Sequence, residues 1–514
     1  MMKRLLRMCL PAAAVFAMET IGLAESLDAS GSKNESKIGS LLLKKLGKYD
    51  KENDRQIMVY LSQKATFKQA KSIMDRKTRL KSMYDEARSI AAKSQESIVA
   101  LLKANGFSYR QFYMPNMIVV KNSSKGLINA LSLRKDVDRI LDNPIVNAAT
   151  QIVKGDNKLA DDDQQAVAEN LIAAGAEKVW NEFNARGENI VIAGQDTGVE
   201  WQHPALKTQY RGYAATGINH DYNWHDSIHE QIGKAQNPCG YNSIEPCDDH
   251  NHGTHTVGSV VGDDQRGTIV GMAPKAKWIA CRNMDAGNGR PSTYLECFEF
   301  FLAPYPVGGN PLKDGRPELA PHVINNSWGC PREEQCQGDE FLEVMNTMKT
   351  AGIMVVVSAG NDGSSCGSIA TTPAHHTDAS FSVGASNHRN DSIANFSSRG
   401  PSAFDGGIGP DVAAPGVGIK SAVRGGRYAS SGWSGTSMAG PHVVGEVALL
   451  WSAVPSLIGK VDETIEIIRA TARPQVSDQS CGGVDGTELP NNTFGYGIID
   501  AFAAVEKARA AKGK

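Results

Sequence analysis

The sequence predicts an α/β protein in which a mostly parallel sheet is flanked by helices and preceded by a small α+β domain. Runs rich in Val and Ile, such as "NIVIAGQD" (189–196) and "IMVVVSAGN" (353–361), alternate with helical segments. Continuous apolar runs of this kind are typical of parallel strands that are buried on both faces. These runs end in polar residues such as Asp196 and Asn361, and parallel sheets carry their active residues at the carboxyl ends of strands.

The chain divides into five segments by composition. Residues 1–24 predict a signal peptide, and residues 25–55 are polar and predict a linker with little to bury. Residues 56–153 predict the small α+β domain, with one helical pattern that runs to Gly106. Residues 154–165 predict an exposed linker. Residues 166–514 then form the α/β domain.

The first residues have the features of a secretory signal. A basic start (Lys3, Arg4, Arg7) precedes the apolar run "MCLPAAAVFAM", and small residues lead to a predicted cleavage after Ala24. The run is shorter than the ~20 apolar residues that a membrane-spanning helix needs. We therefore expect a secreted protein, extracellular or periplasmic, without a membrane segment in its mature form.

The cysteine count favours disulfides. Nine cysteines occur, and Cys9 would leave with the signal peptide. The remaining even number in an exported chain favours disulfide bonds, and the absence of a CxxC pair disfavours a zinc knuckle. Cys239 with Cys247 and Cys330 with Cys336 could each close a local loop, but the connectivity stays open.

The charge of the whole chain conceals two opposed parts. The formal net charge is −2, which argues against nucleic acid as a partner. Residues 25–165 hold 25 Lys and Arg against 17 Asp and Glu, whereas residues 166–514 hold 26 against 38. Opposite charges speed encounter, so the two parts are expected to attract each other. The alternative is that these charges face away from each other and serve solubility.

Three segments carry groups suited to nucleophilic catalysis. An apolar strand delivers Asp196, the segment "CDDHNHGTHTVG" (247–258) carries three histidines, and "GWSGTSMAGPHVVG" (432–445) places Ser437 among small residues at the start of a helical pattern. A serine hydroxyl needs a base to take its proton, and the base needs a carboxylate to fix its tautomer. The positive end of a helix also favours the negative charge that develops there.

These motifs resemble those of the subtilisin-like serine proteases, over roughly residues 165–505. The order Asp, His, Ser is that family's order. "DTGVEWQHP", "HGTHTVG" and "GTSMAGPHVVG" resemble its three catalytic segments, with Gly440 where serine is more usual. "DVAAPG" (411–416) and "GYGIIDA" (495–501) also fit.

The resemblance implies roles for particular residues. Ser437 would be the nucleophile, His252 the base, Asp196 its orienter and Asn361 an oxyanion donor, whereas His255 and His442 would be structural. The backbone that pairs with peptide substrate would come from two segments: Ser327, Trp328 and Gly329, and Ser358, Ala359 and Gly360. The Trp328 side chain could equally be a core residue.

The expected function is a secreted serine endopeptidase that cleaves proteins or peptides and is made as a zymogen. Residues 56–153 resemble the family's inhibitory pro-domain loosely, by position and by the order of strands and helices. A catalytically silent peptide-binding protein and a metalloprotease are the alternatives. The chemistry requires no cofactor; structural calcium is expected from the resemblance alone, without an identified ligand set.

Two further carboxylates lie just ahead of His252. The resemblance implies that Asp248 and Asp249 border the substrate on the amino side of the cleaved bond. Two carboxylates there are expected to favour Lys or Arg, by about 1 kcal/mol or less each if exposed. The alternatives are a solvated pair, or one carboxylate that caps the following helix.

Overall fold

The structure is a computed structural model that describes residues 37–46, 55–147, 159–160, 166–429 and 432–513. The predicted signal peptide and most of the predicted 154–165 linker lie outside these ranges. Of the described helices, none is long and apolar enough to cross a membrane.

The N-terminal domain is an antiparallel sheet covered by helices. Its four strands lie in the order β2–β3–β1–β4. The elements are α1 (Ser40–Leu46), β1 (Ile57–Leu61), α2 (Arg76–Ser94), α3 (Glu96–Ala104), β2 (Tyr109–Tyr113), β3 (Asn116–Val120), α4 (Lys125–Ser132) and β4 (Val137–Asp142). The domain therefore has the small α+β architecture that the sequence predicts.

Two details of this domain differ from the sequence prediction. Within the supposed 25–55 linker, residues Ser40–Leu46 form helix α1, whose buried Leu42 and Leu46 pack into the domain core. Ile38, just before the helix, forms a parallel bridge with Ile140 and joins the same core. The spacing of four residues puts Leu42 and Leu46 on one helix face, so a stretch of polar composition still buries apolar side chains. The single predicted helix ending at Gly106 is instead two helices separated at Gln95, whose side-chain amide donates to the carbonyl of Phe112.

Two short strands follow the N-terminal domain and pair with the rest of the chain. These are β5 (Val146–Asn147) and β6 (Leu159–Ala160). Strand β6 pairs antiparallel with residues 427–429, so part of the predicted 154–165 linker has strand structure.

The second domain is built on a seven-stranded sheet in the order β10–β11–β7–β14–β15–β16–β17, in which neighbouring strands are all parallel. Its helices are α5 (Glu169–Ala173), α6 (Ala176–Phe183), α7 (His252–Val261), α8 (Pro291–Leu302), α9 (Leu342–Ala351), α10 (Thr436–Ala453), α11 (Val461–Thr471) and α12 (Ala501–Ala511). Its strands are β7 (Val191–Asp196), β8 (Tyr213–Ala214), β9 (Gly217–Ile218), β10 (Trp224–Asp226), β11 (Lys277–Arg282), β12 (Met284–Asp285), β13 (Asn288–Gly289), β14 (Val323–Asn326), β15 (Met354–Ser358), β16 (Phe381–Ser386), β17 (Val412–Pro415), β18 (Ala422–Val423) and β19 (Arg427–Ala429). The predicted α/β class is confirmed, and sequence reasoning missed the two edge strands, β10 and β17.

The sheet separates two apolar cores. On one face, helix α10 packs against strands β14 to β17, and α7 packs against α10 and strand β7. On the other face, helices α8 and α9 form a second core that continues into the N-terminal domain through Met58, Tyr84 and Tyr113. The N-terminal domain is therefore docked through buried apolar surface.

Buried carboxylates of helix α8 join the two domains. Glu299 accepts the backbone N–H groups of Tyr113 (2.6 Å) and Met114 (3.4 Å), although burial raises its pKa to about 8. Glu296 contacts Arg110 of the N-terminal domain and also His225 (2.6 Å) and His229 (3.0 Å) of its own domain.

Glu296 stays ionised in this arrangement. Burial opposes its charge, but Arg110 and His229 outweigh that penalty and lower its pKa to about 2. His229 experiences the opposite balance: burial and the neighbouring Arg110 lower its pKa, and Glu296 only partly offsets them. The docked state therefore favours a charged Glu296 beside a neutral His229.

Other ion pairs across the interface have the same polarity. Lys121 contacts Glu230 at 2.6 Å, Arg139 contacts Asp339, and Lys64 contacts Glu343 at 3.8 Å. In each case the N-terminal domain supplies the cation and the second domain the carboxylate. The charge asymmetry of the sequence is thus present at the contact surface.

Four disulfides lie in the second domain: Cys239–Cys247, Cys281–Cys297, Cys330–Cys336 and Cys366–Cys481. The two local loops proposed from the sequence are confirmed. The first of them presses against the turn after β7, where a Cβ added to Gly198 would lie 1.7 Å from the carbonyl oxygen of Cys247. Gly198 also has φ +104°, so both space and backbone conformation require glycine.

We predict that Gly198→Ala destabilises the second domain by more than about 2 kcal/mol, since a positive φ alone costs a non-glycine residue ~1–2 kcal/mol and the clash adds to that cost. Chemical unfolding, measured in a Ser437→Ala background, gives the value. Gly240→Ala is the matched control, because Gly240 has φ +65° but open space around it. Equal losses for both variants would contradict the packing argument.

Candidate active site

Asp196 is the last residue of strand β7 and is buried. Its Oδ1 accepts the backbone N–H of Thr197 at 2.7 Å. The same carboxylate accepts the Nδ1–H of His252, with Nδ1 2.7 Å from Oδ1 and 2.9 Å from Oδ2. An acceptor on Nδ1 fixes the tautomer, so the lone pair of the neutral imidazole lies on Nε2.

His252 is the first residue of helix α7. The helix lies close to the turn that follows the Asp196 strand. A Cβ added to Gly253 would lie 2.0 Å from the carbonyl oxygen of Gly198, so only glycine allows this approach. Among the described residues, His252 Nε2 is buried without a hydrogen-bond partner. This nitrogen is therefore available as a base.

Asp248 caps the helix that carries His252. Its Oδ1 accepts the N–H groups of His250 (2.8 Å) and Asn251 (2.9 Å), and its Oδ2 accepts the N–H of Thr254 (2.9 Å). The hydroxyls of Thr197 and Thr254 also donate to it. The expectation that Asp248 faces substrate is wrong, and the capping alternative is right.

Asp249 is also turned away from substrate. Its side chain is buried, with Oδ2 3.3 Å from Nη1 of Arg282, and burial raises its pKa to about 7. Arg282 is itself buried and makes a two-pronged contact with Asp226. A buried guanidinium needs carboxylate partners, and no local pattern around Arg282 predicts these distant partners.

Ser437 is the second residue of helix α10. Its Oγ donates to the carbonyl oxygen of Ser327 at 3.3 Å. In the parallel register Asn326 lies opposite Gln195, and their side chains are joined by a 2.7 Å hydrogen bond. The next residues along these two strands are Ser327 and Asp196, so the serine and the Asp–His pair meet at one edge of the sheet.

Asn361 follows strand β15 and is tied to the start of the serine helix. Its Oδ1 accepts the backbone N–H (2.9 Å) and the hydroxyl (3.0 Å) of Thr436. These two contacts hold the side-chain oxygen of Asn361 at the start of the helix, so the amide nitrogen is directed away from Thr436. The preceding residues Ser358, Ala359 and Gly360 are buried, and the Gly360 N–H faces the Thr436 hydroxyl at 3.3 Å.

The segment Ser327, Trp328, Gly329 follows strand β14 at the same edge. The indole of Trp328 is buried and stacks on Tyr294 with ring centroids 3.8 Å apart, so its side chain is a core residue, as the alternative interpretation held. Only the backbone of this segment remains for contact with a ligand.

The segments that follow β14 and β11 enclose a cleft that strand β5 of this chain fills. Both strands neighbour β7 in the sheet. Strand β5 of this chain lies there, antiparallel to β13, with Val146 opposite Gly289 and Asn147 opposite Asn288. On its other side, the N–H of Asn147 donates to Glu334 at 3.0 Å. Sequence reasoning missed Glu334, because nothing in the pattern "CPREEQC" shows which carboxylate turns inward.

Two further histidines of these motifs, His255 and His442, are buried and packed. His255 Nε2–H donates to the carbonyl oxygen of Ile419 (3.0 Å), and its ring stacks on Trp433; burial lowers its pKa to about 3. His442 is bonded to Met438 and Asn170, and burial lowers its pKa to about 4. The described residues contain no group of three His, Cys, Asp or Glu side chains that could hold a metal.

We predict that Asp248→Asn lowers both stability and turnover. The amide nitrogen of asparagine would face N–H donors that the carboxylate now accepts, and losing such buried bonds costs roughly 1–3 kcal/mol. Unfolding midpoints and the kcat of a peptide substrate measure the two effects. Asp264→Asn is the control, because Asp264 also accepts two backbone N–H groups but lies in a partly exposed loop. Equal unfolding midpoints for the Asp248→Asn variant and this control would rule out the capping role.

Comparison with known proteins supports the geometry. The model of the "Subtilase family" matches residues 187–497. Bacillopeptidase F of Bacillus subtilis is 36% identical, covering 82% of this chain and 28% of that protein. A thermophilic serine proteinase of Bacillus sp. (strain AK1) is 32% identical, covering 62% of each. Subtilisin E of Bacillus subtilis is 32% identical, covering 52% of this chain and 57% of that protein.

The chain thus spans less than two thirds of the length of each of these relatives. The family model nevertheless covers more than half of the chain. It includes the strand that ends in Asp196, the helix that begins at His252 and the helix that carries Ser437. The chain belongs to the subtilase family.

Proposed function

We propose that the chain is a secreted serine endopeptidase that hydrolyses protein or peptide substrates through Ser437, His252 and Asp196. The observation that carries the proposal is the buried hydrogen bond between Asp196 and His252 Nδ1, at the sheet edge where the helix that carries Ser437 begins. Membership of the subtilase family supports the same reaction, as do the names of its relatives, which include serine proteinases and subtilisins.

The first step is attack by Ser437 Oγ on the substrate carbonyl. The hydroxyl leaves the Ser327 carbonyl by rotation of its side chain and gives its proton to His252 Nε2. Asp196 stabilises the imidazolium that forms. His252 then passes the proton to the leaving amine, and water releases the acyl group by the same steps in reverse.

Asn361 is proposed to stabilise the oxyanion. Its oxygen is held by Thr436 beside the nucleophile, so its amide nitrogen is pre-oriented before substrate arrives. A donor fixed in this way stabilises the charge of the tetrahedral intermediate without reorganisation. No step uses a metal; a structural calcium ion remains a proposal from family membership, without an identified ligand set.

Substrate is proposed to bind as an added strand along the segments Ser327–Gly329 and Ser358–Gly360. Strand β5 supports this mode, since it pairs antiparallel with β13 in the cleft. The N-terminal domain is proposed to be an inhibitory pro-domain, because β5 directly continues from it into the cleft. Secretion is proposed from the basic and apolar pattern of residues 1–24.

An activity-based probe tests the reaction. We predict that a fluorophosphonate labels wild-type protein at Ser437 and fails to label Ser437→Ala. We also expect Ser437→Ala to accumulate at full length with near-native fold, because self-cleavage needs the nucleophile. Absence of label on the mature wild-type protein would favour the silent, peptide-binding alternative. Loss of activity with a zinc chelator in excess calcium would favour the metalloprotease.

Asn361→Ala is predicted to lower kcat by about 10²- to 10³-fold with little change in KM, the loss already known for an oxyanion donor of a subtilisin. Steady-state kinetics on one peptide substrate measures both constants. Asn390→Ala, in an exposed turn, is the control. A change in KM alone would assign Asn361 to substrate binding instead.

We predict that the N-terminal domain inhibits the mature enzyme when added separately, and that its association rate falls as salt rises. The interface pairs a basic surface with an acidic one, and at 0.15 M ionic strength salt screens the attraction between charges that are more than ~8 Å apart.

The Arg110→Ala variant of the N-terminal domain should dissociate faster, because it leaves Glu296 without its cation. Arg134→Ala is the control, since Arg134 pairs with Asp136 of its own domain. A salt-independent association rate would leave the charge asymmetry without a role in binding.

A further inference from the structure

Strand β5 is held in the cleft from both sides. On one side it pairs with β13. On the other side the acceptor of the Asn147 N–H is a side chain, since Glu334 Oε2 lies 3.0 Å from the Asn147 nitrogen. A carboxylate that accepts a peptide N–H forms a charge-assisted bond, which is about twice as strong as a neutral one.

The loop that carries Glu334 is fixed in place. It begins directly after Gly329, and the disulfide between Cys330 and Cys336 closes it. The N–H of Cys330 donates to the carbonyl oxygen of Thr372 at 2.9 Å. A 3₁₀ turn at Arg332–Glu334 then places the glutamate at its end. The carboxylate is therefore presented by a rigid support.

Glu334 and its neighbour Glu333 differ in surroundings although they are adjacent in sequence. Glu334 is half-buried against β5, and burial raises its pKa while the Asn147 N–H lowers it. Glu333 is exposed. Only one of the two carboxylates thus faces the cleft.

We propose that Glu334 is a substrate-binding residue that accepts the backbone N–H of the substrate residue lying opposite Asn288, the place that Asn147 takes in this structure. The inference rests on the proposed peptidase function and deepens it. This contact involves the backbone of the substrate and not its side chain, so any residue with a backbone N–H can make it. Proline has none, and the enzyme would discriminate against proline at that one position.

The test removes the N–H from the substrate and the acceptor from the enzyme, separately and together. A set of peptides carries an ester in place of one amide at each successive position on the amino side of the cleaved bond. For wild-type enzyme, one position should show a loss of roughly ten-fold in kcat/KM that depends on Glu334, the size expected for one charge-assisted hydrogen bond. In Glu334→Ala the ester at that position should cost less than about two-fold.

Two further variants sharpen the assignment. Glu334→Gln keeps an oxygen acceptor without the charge, so its ester penalty should fall between those of wild type and Glu334→Ala. Glu333→Gln is the matched control, because it removes the same charge from the adjacent, exposed position and should keep the wild-type pattern of ester penalties.

The outcomes separate this inference from the proposed function. Wild-type enzyme that cleaves peptides, with the same pattern of ester penalties in Glu334→Ala as in wild type, overturns the inference alone. An equal fall in kcat/KM for every peptide in Glu334→Ala also overturns it, since that pattern describes a structural role for the loop. Wild-type protein that cleaves no peptide and takes no fluorophosphonate overturns the proposed function, and the inference with it.

Discussion

Parallel pairing of β7 with its neighbours is the constraint on which the site depends. Because these strands run in the same direction, their carboxyl ends lie at one edge, and the register of β7 with β14 brings Asp196 and Ser327 to adjacent positions there. His252 is hydrogen-bonded to the Asp196 carboxylate, and the Ser437 hydroxyl donates to the carbonyl oxygen of Ser327. The segments that follow β11 and β14 then form the two walls of the cleft.

Burial of charge around His252 makes this arrangement rigid. Asp248 holds the start of the histidine helix through backbone N–H groups, and Arg282 joins Asp249 to Asp226 beneath the loop closed by Cys239 and Cys247. Removing one partner of such a buried set leaves an uncompensated charge. The loop before His252 is thus a support for the base and not a surface for substrate.

Much of the fold and of the site could be predicted from the sequence, and the failures have physical causes. Apolar runs ending in polar residues located the central strands, because a strand buried on both faces must be apolar throughout. The motifs around Asp196, His252 and Ser437 located the reactive groups, because that chemistry tolerates few alternatives. Helix α1 was missed because three apolar residues suffice to dock a polar segment.

The roles of Asp249 and Glu334 depend on partners that are distant in sequence. Asp249 was placed at the substrate because its neighbours are catalytic, yet Arg282, 33 residues away, draws it into the interior. Glu334 gains its contact from Asn147, which is 187 residues away. Side-chain direction at such positions is decided by tertiary packing, on which local pattern carries no information.

Docking of the N-terminal domain is coupled to the protonation of Glu296, because Arg110 of that domain contacts its carboxylate. Arg110 lowers the pKa of both Glu296 and His229, so its departure raises the proton affinity of the pair. Glu299 on the same helix has the opposite balance, because burial raises its pKa to about 8 in the docked state. Acidification therefore acts on these two carboxylates of helix α8 with opposite signs, and the two responses oppose each other at the docked surface.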